Sequence, residues 1–441
     1  MSTTRSRGGN RSLSLLRTLG STALRATGEA VLKKLSGQNA DTKGPHEGHV
    51  APLGFLSSAA AERLVRGLDE LKGAAMKVGQ MLSMEQDILP LAWQNALATL
   101  QSKSTPRPFH EIEPLLRQSL GSLDAFRWID PHAVHAASMA QVHVGELDGT
   151  GEKVAIKIRY PNLREHVESD LRSLQRIFKL AGLVQREEEW QRILHKVRDV
   201  FLQELDFHEE LKRTKRFAEQ LAGETDIITA RPIESLCRED VLVTTWLDGL
   251  GLDAWMTSQP RPSQKERSRM GTLLVRCILL EIFQYRHLQS DPNPANFLVL
   301  ADGRLGLVDF GASVDLPSSL IEPYRAMAIA SLDDHREGVL AAAKTIGFLH
   351  PTDSPEAEDC FARLMSMTSE PFRQESFFWG DQRLSEGIKK ESLRFAQLTR
   401  LRVPPEDLIF LNRRILGTQL SLEKMAPTVK ARALFEEIVR G

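Results

Sequence analysis

Residues 288–313, LQSDPNPANFLVLADGRLGLVDFGAS, constrain this chain more than any other stretch. Two apolar runs, residues 297–300 and 305–308, flank Ala301, Asp302 and Gly303 and read as strands joined by a turn. Ahead of them, Asp291 and Asn296 sit around Pro292 and Pro294, which keep the segment out of a helix. Behind them comes Asp309-Phe310-Gly311, an aspartate at the end of an apolar strand with glycine close after it. That is an economical way to aim a carboxylate into a cleft. Asn296 and Asp309 offer two hard oxygen ligands for Mg2+, and Asp291 lies close enough to orient or deprotonate a nucleophile. Asp-Pro-Asn-Pro-Ala-Asn is also good turn chemistry, so other parts of the chain must decide between a site and a plain turn.

Upstream, residues 153–159 (KVAIKIR) alternate like a half-buried strand. Val-Ala-Ile-Lys is a pattern that presents a lysine, here Lys157, to the α- and β-phosphates of ATP. Before it, Ala136, Ala137, Ser138, Met139, Ala140 and Gln141 form a small-residue turn leading into a strand. Backbone amides can cradle phosphate only where no Cβ intrudes, so alanine and serine in place of glycine predict a stiffer loop with a different phosphate grip. After the lysine, a helical segment over residues 190–216 carries Glu204, Asp206 and Glu209. A glutamate on that helix would pair with Lys157 and orient it.

Five ordered motifs together resemble the UbiB/AarF family of atypical kinases. They are Ala-Ala-Ser-x-x-Gln-Val-His, Val-Ala-Ile-Lys followed by Tyr160-Pro161, Glu-Leu-Asp-Phe-x-x-Glu, Asp-Pro-x-x-x-Asn-Phe, and Lys77-Val78-Gly79-Gln80, the family's Lys-x-Gly-Gln signature. The resemblance runs from about Leu71 to Glu437. Gln289-Ser290 stands where a protein kinase has His-Arg, and with Asp291-Pro292-Asn293 it is more similar to the coenzyme-Q-associated branch. The region from Val403 to Glu406 resembles that branch as well.

The resemblance implies an α+β, two-lobed protein-kinase-like fold with an N-terminal helical extension carrying Lys-x-Gly-Gln. It implies ATP and Mg2+ as cofactors and an association with ubiquinone biosynthesis and its proteins. ATP hydrolysis, or phosphoryl transfer to a lipid or quinone-precursor ligand, is implied over phosphorylation of proteins. By residue, Lys157 contacts phosphate, Glu204 positions it, Asn296 and Asp309 hold Mg2+, and Asp291 is the catalytic-loop acid. Lys77 and Gln80 reach the active site from the extension.

Two features argue independently against a conventional protein kinase. After Gly311 there is no long polar segment and no Ala-Pro-Glu; the chain passes through residues 314–319 into a helix expected from Leu320. An extension bearing Lys77 would also lie where a peptide substrate would dock. Three functions stay in play: an atypical kinase or ATPase, a nucleotide-binding pseudokinase scaffold for a lipid-processing complex, and a protein Ser/Thr kinase.

With 441 residues, 41% apolar and 26% charged, the chain can build a large globular core. A net charge of −1 gives no electrostatic reason to expect nucleic acid as a partner. Cys237, Cys277 and Cys360 are far apart and fit buried thiols in a reducing compartment. Residues 1–28 differ, with Arg5, Arg7, Arg11, Arg17 and Arg25 and no acid. They read as a disordered arm, a basic amphipathic helix on anionic membrane, or a mitochondrial transit peptide. No apolar run reaches the roughly 18 residues of a membrane span, so membrane contact is expected to be peripheral. The expected location is the cytoplasm or the inner-membrane surface, or the mitochondrial matrix face in a eukaryote.

The expected organisation is an arm and linker over 1–54, a helical extension over 55–125, an N-lobe over 126–250 and a helical C-lobe over 251–441. After a strand over Val241–Thr245, Trp246 to Gly249 would form the hinge, where the backbone of Thr245 to Leu247 could bind adenine.

Overall fold

Alternation along Lys153–Arg159 buries Val154, Ile156 and Ile158 on one face and turns Lys153, Lys157 and Arg159 to the other. The computed structural model describes residues 106–137, 139–163, 205–399 and 406–441, with single positions at 172, 198 and 202. The basic arm and the expected extension with Lys77 and Gln80 lie outside the described residues, as do Ser138 and Glu204. The chain divides into two compact units. One runs to Phe207 and takes in Leu236–Val243; the other comprises His208–Ser235 and Thr244–Gly441.

In chain order the first elements are α1 (Phe109–Leu120), β1 (Phe126–Ile129), β2 (His135–Ala136), β3 (Ala140–Leu147), β4 (Lys153–Arg159), α2 (Phe207–Gln220), β5 (Ile227–Thr229) and β6 (Val241–Thr245). The first sheet has the order β1-β3-β4-β6, with β2 added along β3. Strands β3 and β4 pair antiparallel from Ala140 opposite Arg159 to Glu146 opposite Lys153. The strands expected around Val142 and Val154 are therefore present.

One buried polar network fastens this sheet to the chain that enters it. The Gln141 Oε1 accepts from the Arg107 N–H (2.8 Å) and from the Tyr160 hydroxyl (2.9 Å). Its Nε2 donates to the Arg107 carbonyl (3.1 Å) and lies 2.8 Å from His143 Nε2. His143 Nδ1 is 2.7 Å from the Asp130 carbonyl, which can only accept, so Nδ1 carries the proton and Nε2 accepts from Gln141. The Arg107 guanidinium covers the Tyr160 ring at 4.7 Å.

The second unit continues with β7 (Gly249–Gly251), α3 (Leu252–Thr257) and α4 (Gln264–Leu279), whose last residues run on into a π turn, Leu280–Gln284. Ser263 and Glu266 form a reciprocal capping box that starts α4. The helix and its π turn bury Met270, Leu273, Leu274, Ile278 and Phe283. Then come β8 (His287–Gln289), a 3-10 turn (Pro294–Asn296), β9 (Phe297–Leu300), β10 (Leu305–Leu307) and β11 (Ser313–Asp315). The β9–β10 hairpin sits inside a second sheet of order β5-β10-β9-β7. Gly303 turns it at φ 80°, a conformation that costs other residues steric strain.

Helices α5 (Ser318–Leu332), α6 (Arg336–Ile346), α7 (Pro355–Arg373), α8 (Gln382–Leu398), α9 (Glu406–Met425) and α10 (Ala431–Phe435) complete the unit, with β12 (Phe377–Phe378) paired to β13 (Thr428–Val429). The helix expected from Leu320 begins two residues earlier, at Ser318 behind Pro317. Among the described residues no helix is long and apolar enough to cross a membrane. All three cysteines are buried thiols outside any disulfide. Burial pushes the Cys360 thiol up to about 11 and the Cys277 thiol well above its usual range.

Burial holds His143 below its usual value near 6.5, so the folded unit keeps it neutral where the unfolded chain takes up a proton. Its contribution to stability is complete above about pH 6.5 and is lost as the pH falls toward the folded value. The stability difference between wild type and His143→Gln, from urea unfolding at pH 8 to 5, is therefore expected to narrow below pH 6.5. A difference that does not vary with pH would contradict the buried, neutral state of His143.

Candidate active site

Two loops carry the expected chemistry, and paired strands bring them together. The first leaves β8 and the second enters β11; these strands pair antiparallel, Gln289 opposite Ser313 and His287 opposite Asp315. The Ser290 N–H and hydroxyl both donate to the Ala312 carbonyl, at 3.0 and 2.5 Å. The Val308 N–H donates to the Asn296 carbonyl at 3.1 Å. Gln289, fully buried, supplies the third link. Its amide nitrogen donates to the carbonyls of Val308 (3.1 Å) and Asp309 (2.6 Å). A carboxamide has two N–H bonds on one nitrogen, so a single side chain satisfies two acceptors. The Gln289 Oε1 is buried without a described partner, a cost on the order of 1–3 kcal/mol that the two bonds offset.

Within the first loop the Asn296 amide donates to Asp291 Oδ2 at 2.9 Å. That bond orients Asp291 and leaves the Asn296 Oδ1, the atom a hard cation takes, out of it. Asp309 has φ 61°, the left-handed region, where a non-glycine residue is strained by about 1–3 kcal/mol. Gln289 holds its carbonyl from one side, and the Gly311 N–H donates to its Oδ1 at 3.2 Å. Phe310 is fully buried and stacks on Phe217 of α2 at 4.4 Å. Asp309 is thus fixed between two anchored neighbours.

Two α2 residues border the same turn. The Arg213 guanidinium donates to the Gly311 carbonyl at 2.5 Å. Glu210 is buried, and a Cβ added to Gly311 would lie 3.5 Å from its Oε2. Glu209, singled out from the sequence, instead faces outward and pairs with Lys212 at 2.5 Å. Glu210 closes the Glu-Leu-Asp-Phe-x-x-Glu motif but carries no role in the sequence reading, although periodicity marks it as buried, since it shares a helical stripe with Thr214, Phe217 and Leu221, all buried.

Helix α9 packs directly on the first loop. Arg413 Nη2 lies 3.5 Å from Asp291 Oδ1. Arg414 is buried, pairs with the buried Glu281 at 3.1 Å and places its guanidinium 4.7 Å over the Phe297 ring. Gly417 approaches Pro292 so closely that a Cβ there would fall 2.0 Å from the proline's Cβ. The sequence carries no local sign of these contacts, because α9 follows the loop by more than a hundred residues.

Asp291, Asn296 and Asp309 therefore share one pair of loops. Among the described residues no group of three or more His, Cys, Asp or Glu is placed to hold a metal ion. The donors Asn296 and Asp309 nevertheless fit Mg2+, which takes one or two protein oxygens and completes its octahedron with water and phosphate.

The remaining expected residues belong to other segments. Lys157 sits in the first unit on β4, opposite Val142, with its ammonium 5.3 Å from the Phe207 ring. In the small-residue turn the Ala137 N–H donates to the Ala140 carbonyl at 2.8 Å, and the Met139 carbonyl accepts from the Tyr160 N–H at 2.9 Å. Ala136 pairs with Gln141, whose side chain belongs to the buried network described above. In the second unit the Thr245 N–H donates to the Arg231 carbonyl at 2.8 Å, and Leu247 packs beside Gly306 of β10.

The model of the ABC1 atypical kinase-like domain matches residues 99–343. The chain belongs to the ABC1 atypical kinase-like family. The rat protein named atypical kinase COQ8B, mitochondrial, is 30% identical over 423 residues, covering 94% of this chain and 77% of that protein. The baker's yeast protein named atypical kinase COQ8, mitochondrial, is 27% identical over 393 residues, covering 87% and 77%. A Caenorhabditis elegans relative named atypical kinase coq-8, mitochondrial, is matched over 51% of its length. The solved structure of Rv3197 with erythromycin from Mycobacterium tuberculosis shares the fold, with a TM-score of 0.62 at 24% identity over 86% of this chain and 95% of that one. The kinase-like α+β fold of this ABC1 chain is thereby shown.

Removing one partner of the buried pair leaves an uncompensated charge. Arg414→Met is expected to cost about 3–5 kcal/mol, read as a lower denaturation midpoint. Glu281→Leu combined with Arg414→Met is expected to recover most of it. A single variant as stable as wild type would contradict the pairing.

Proposed function

We propose that this ABC1-family protein binds ATP with Mg2+ and acts as an atypical kinase or ATPase in support of ubiquinone (coenzyme Q) biosynthesis. Its acceptor is water or a lipid or small-molecule precursor rather than a protein. The observation that carries this reading is the Asn296–Asp291 hydrogen bond standing beside the locked, left-handed Asp309. An acid aligned by an amide, next to two hard oxygen donors, suits phosphoryl transfer, which depends mainly on positioning and charge neutralisation. In this reading Lys157 contacts phosphate, Glu204 positions it, and Lys77 and Gln80 act from the extension.

The short passage from Gly311 to α5 supports a small acceptor, because it leaves little backbone on which an extended peptide could dock. The resemblance to the coenzyme-Q-associated branch supports the quinone connection. Contact with anionic membrane, through the basic arm, would bring the enzyme to a lipid-borne substrate.

One observation favours the pseudokinase scaffold as a second reading. The alanine turn closes on its own backbone, Ala137 N–H to Ala140 carbonyl, which takes one amide away from any phosphate.

Asp309→Asn is expected to lose the Mg2+-dependent rise in melting temperature that ATP gives wild type. Normal stabilisation of that variant would contradict the metal assignment. Intact stabilisation of wild type by Mg-ATP, with no turnover, would favour the scaffold.

A further inference from the structure

In phosphoryl transfer the transition state spreads negative charge over the oxygens of the transferred group and the leaving oxygen, and a positive side chain aimed there strengthens its binding. The loop that carries the proposed acid, residues 290–296 (SDPNPAN), has no basic residue. Its positive charge comes from outside. Arg413 lies 3.5 Å from one Asp291 oxygen, while Asn296 holds the other at 2.9 Å. Arg413 is about one-third exposed, so part of its five-donor fork faces solvent beside the acid.

The placement of Arg413 is enforced. Its neighbour Arg414 is locked in the core by Glu281 and Phe297, which fixes the rotation of α9. One helical turn on, Gly417 lets α9 touch Pro292, so the helix cannot move toward the loop and a side chain there would push the two apart. Successive residues of one helix thus divide the roles: Arg414 anchors, Arg413 faces the acid, and Gly417 sets the distance.

We infer that Arg413 is a catalytic residue of the phosphoryl-transfer site, holding Asp291 for the acceptor and offering its outward N–H groups to the group in transfer. The inference rests on the kinase reading above. In the step it serves, the acceptor oxygen bonds to the γ-phosphorus as the bond to the β-bridging oxygen breaks. The acceptor's proton passes to Asp291, and the departing charge stays on ADP.

The test uses the full chain with Mg2+ and two probes, ADP alone and ADP with fluoroaluminate, a mimic of the group in transfer. Thermal stabilisation is read for wild type, Arg413→Gln and Arg413→Lys, beside kcat and KM for phosphate release. Arg413→Gln is expected to keep the ADP shift, lose the additional fluoroaluminate shift, and lower kcat by about 10²-fold with KM little changed. Arg413→Lys is expected to recover part of both. An unchanged fluoroaluminate shift, or an equal or higher kcat in Arg413→Gln, would overturn the role. Loss of both shifts and of melting temperature in both variants would make Arg413 a packing residue and overturn it too. Wild type stabilised by neither probe would remove the phosphoryl-transfer reading itself, and Arg413's role with it, an outcome visible without any variant.

Discussion

Arg414 and Glu281, both buried, hold α9 against the end of α4, and the placement of the proposed active-site loop depends on that contact. A buried ion pair is a weak contributor to net stability, because desolvation of both charges opposes their attraction. Its consequence here is geometric. The guanidinium is directional and forked, so it sets the rotation of α9 in a way that an apolar contact would leave loose. Thr418 accepts a further bond from Arg414 at 2.9 Å, and Phe297, the residue after Asn296, lies under the guanidinium. The core is therefore connected to the proposed metal ligand through one aromatic ring.

From that anchor outward, constraint is passed by backbone pairing. Strands β8 and β11 place the two loops side by side, and Gln289 fastens them at the point where Asp309 adopts a strained backbone. Strain at a single non-glycine residue persists only where its neighbours over-determine it. Here they are Phe310, stacked on Phe217, and Gly311, held by Arg213. An α2 displaced from this turn would release both, so α2 is coupled mechanically to the geometry of Asp309.

Local physics made much of this legible in the sequence. The β9–β10 hairpin followed from two apolar runs and an Asp-Gly turn. The prolines around Asp291 and Asn296 excluded a helix, and the alternation in Lys153–Arg159 gave β4. Other features needed tertiary information. Gln289 read as a departure from the usual His-Arg, whereas its amide makes a double bond donation across the loops that no local pattern encodes. Gln141 read as part of a nucleotide loop, and its side chain is the hub of a buried network reaching back to Arg107. Glu210 lies between these cases, since its motif and the stripe it shares with Phe217 are visible in the sequence while its place beside Gly311 is not. Arg413, Arg414 and Gly417 were beyond reach because their partners sit on distant elements.

The most direct test is magnesium-dependent release of phosphate from ATP by the purified full chain, with and without anionic liposomes, beside Asp309→Asn. Release that requires Asp309 and rises with liposomes is the predicted result, as expected of a phosphoryl-transfer site serving a lipid-borne substrate. Equal release by wild type and Asp309→Asn would contradict the account, because the locked aspartate would then have no part in the chemistry.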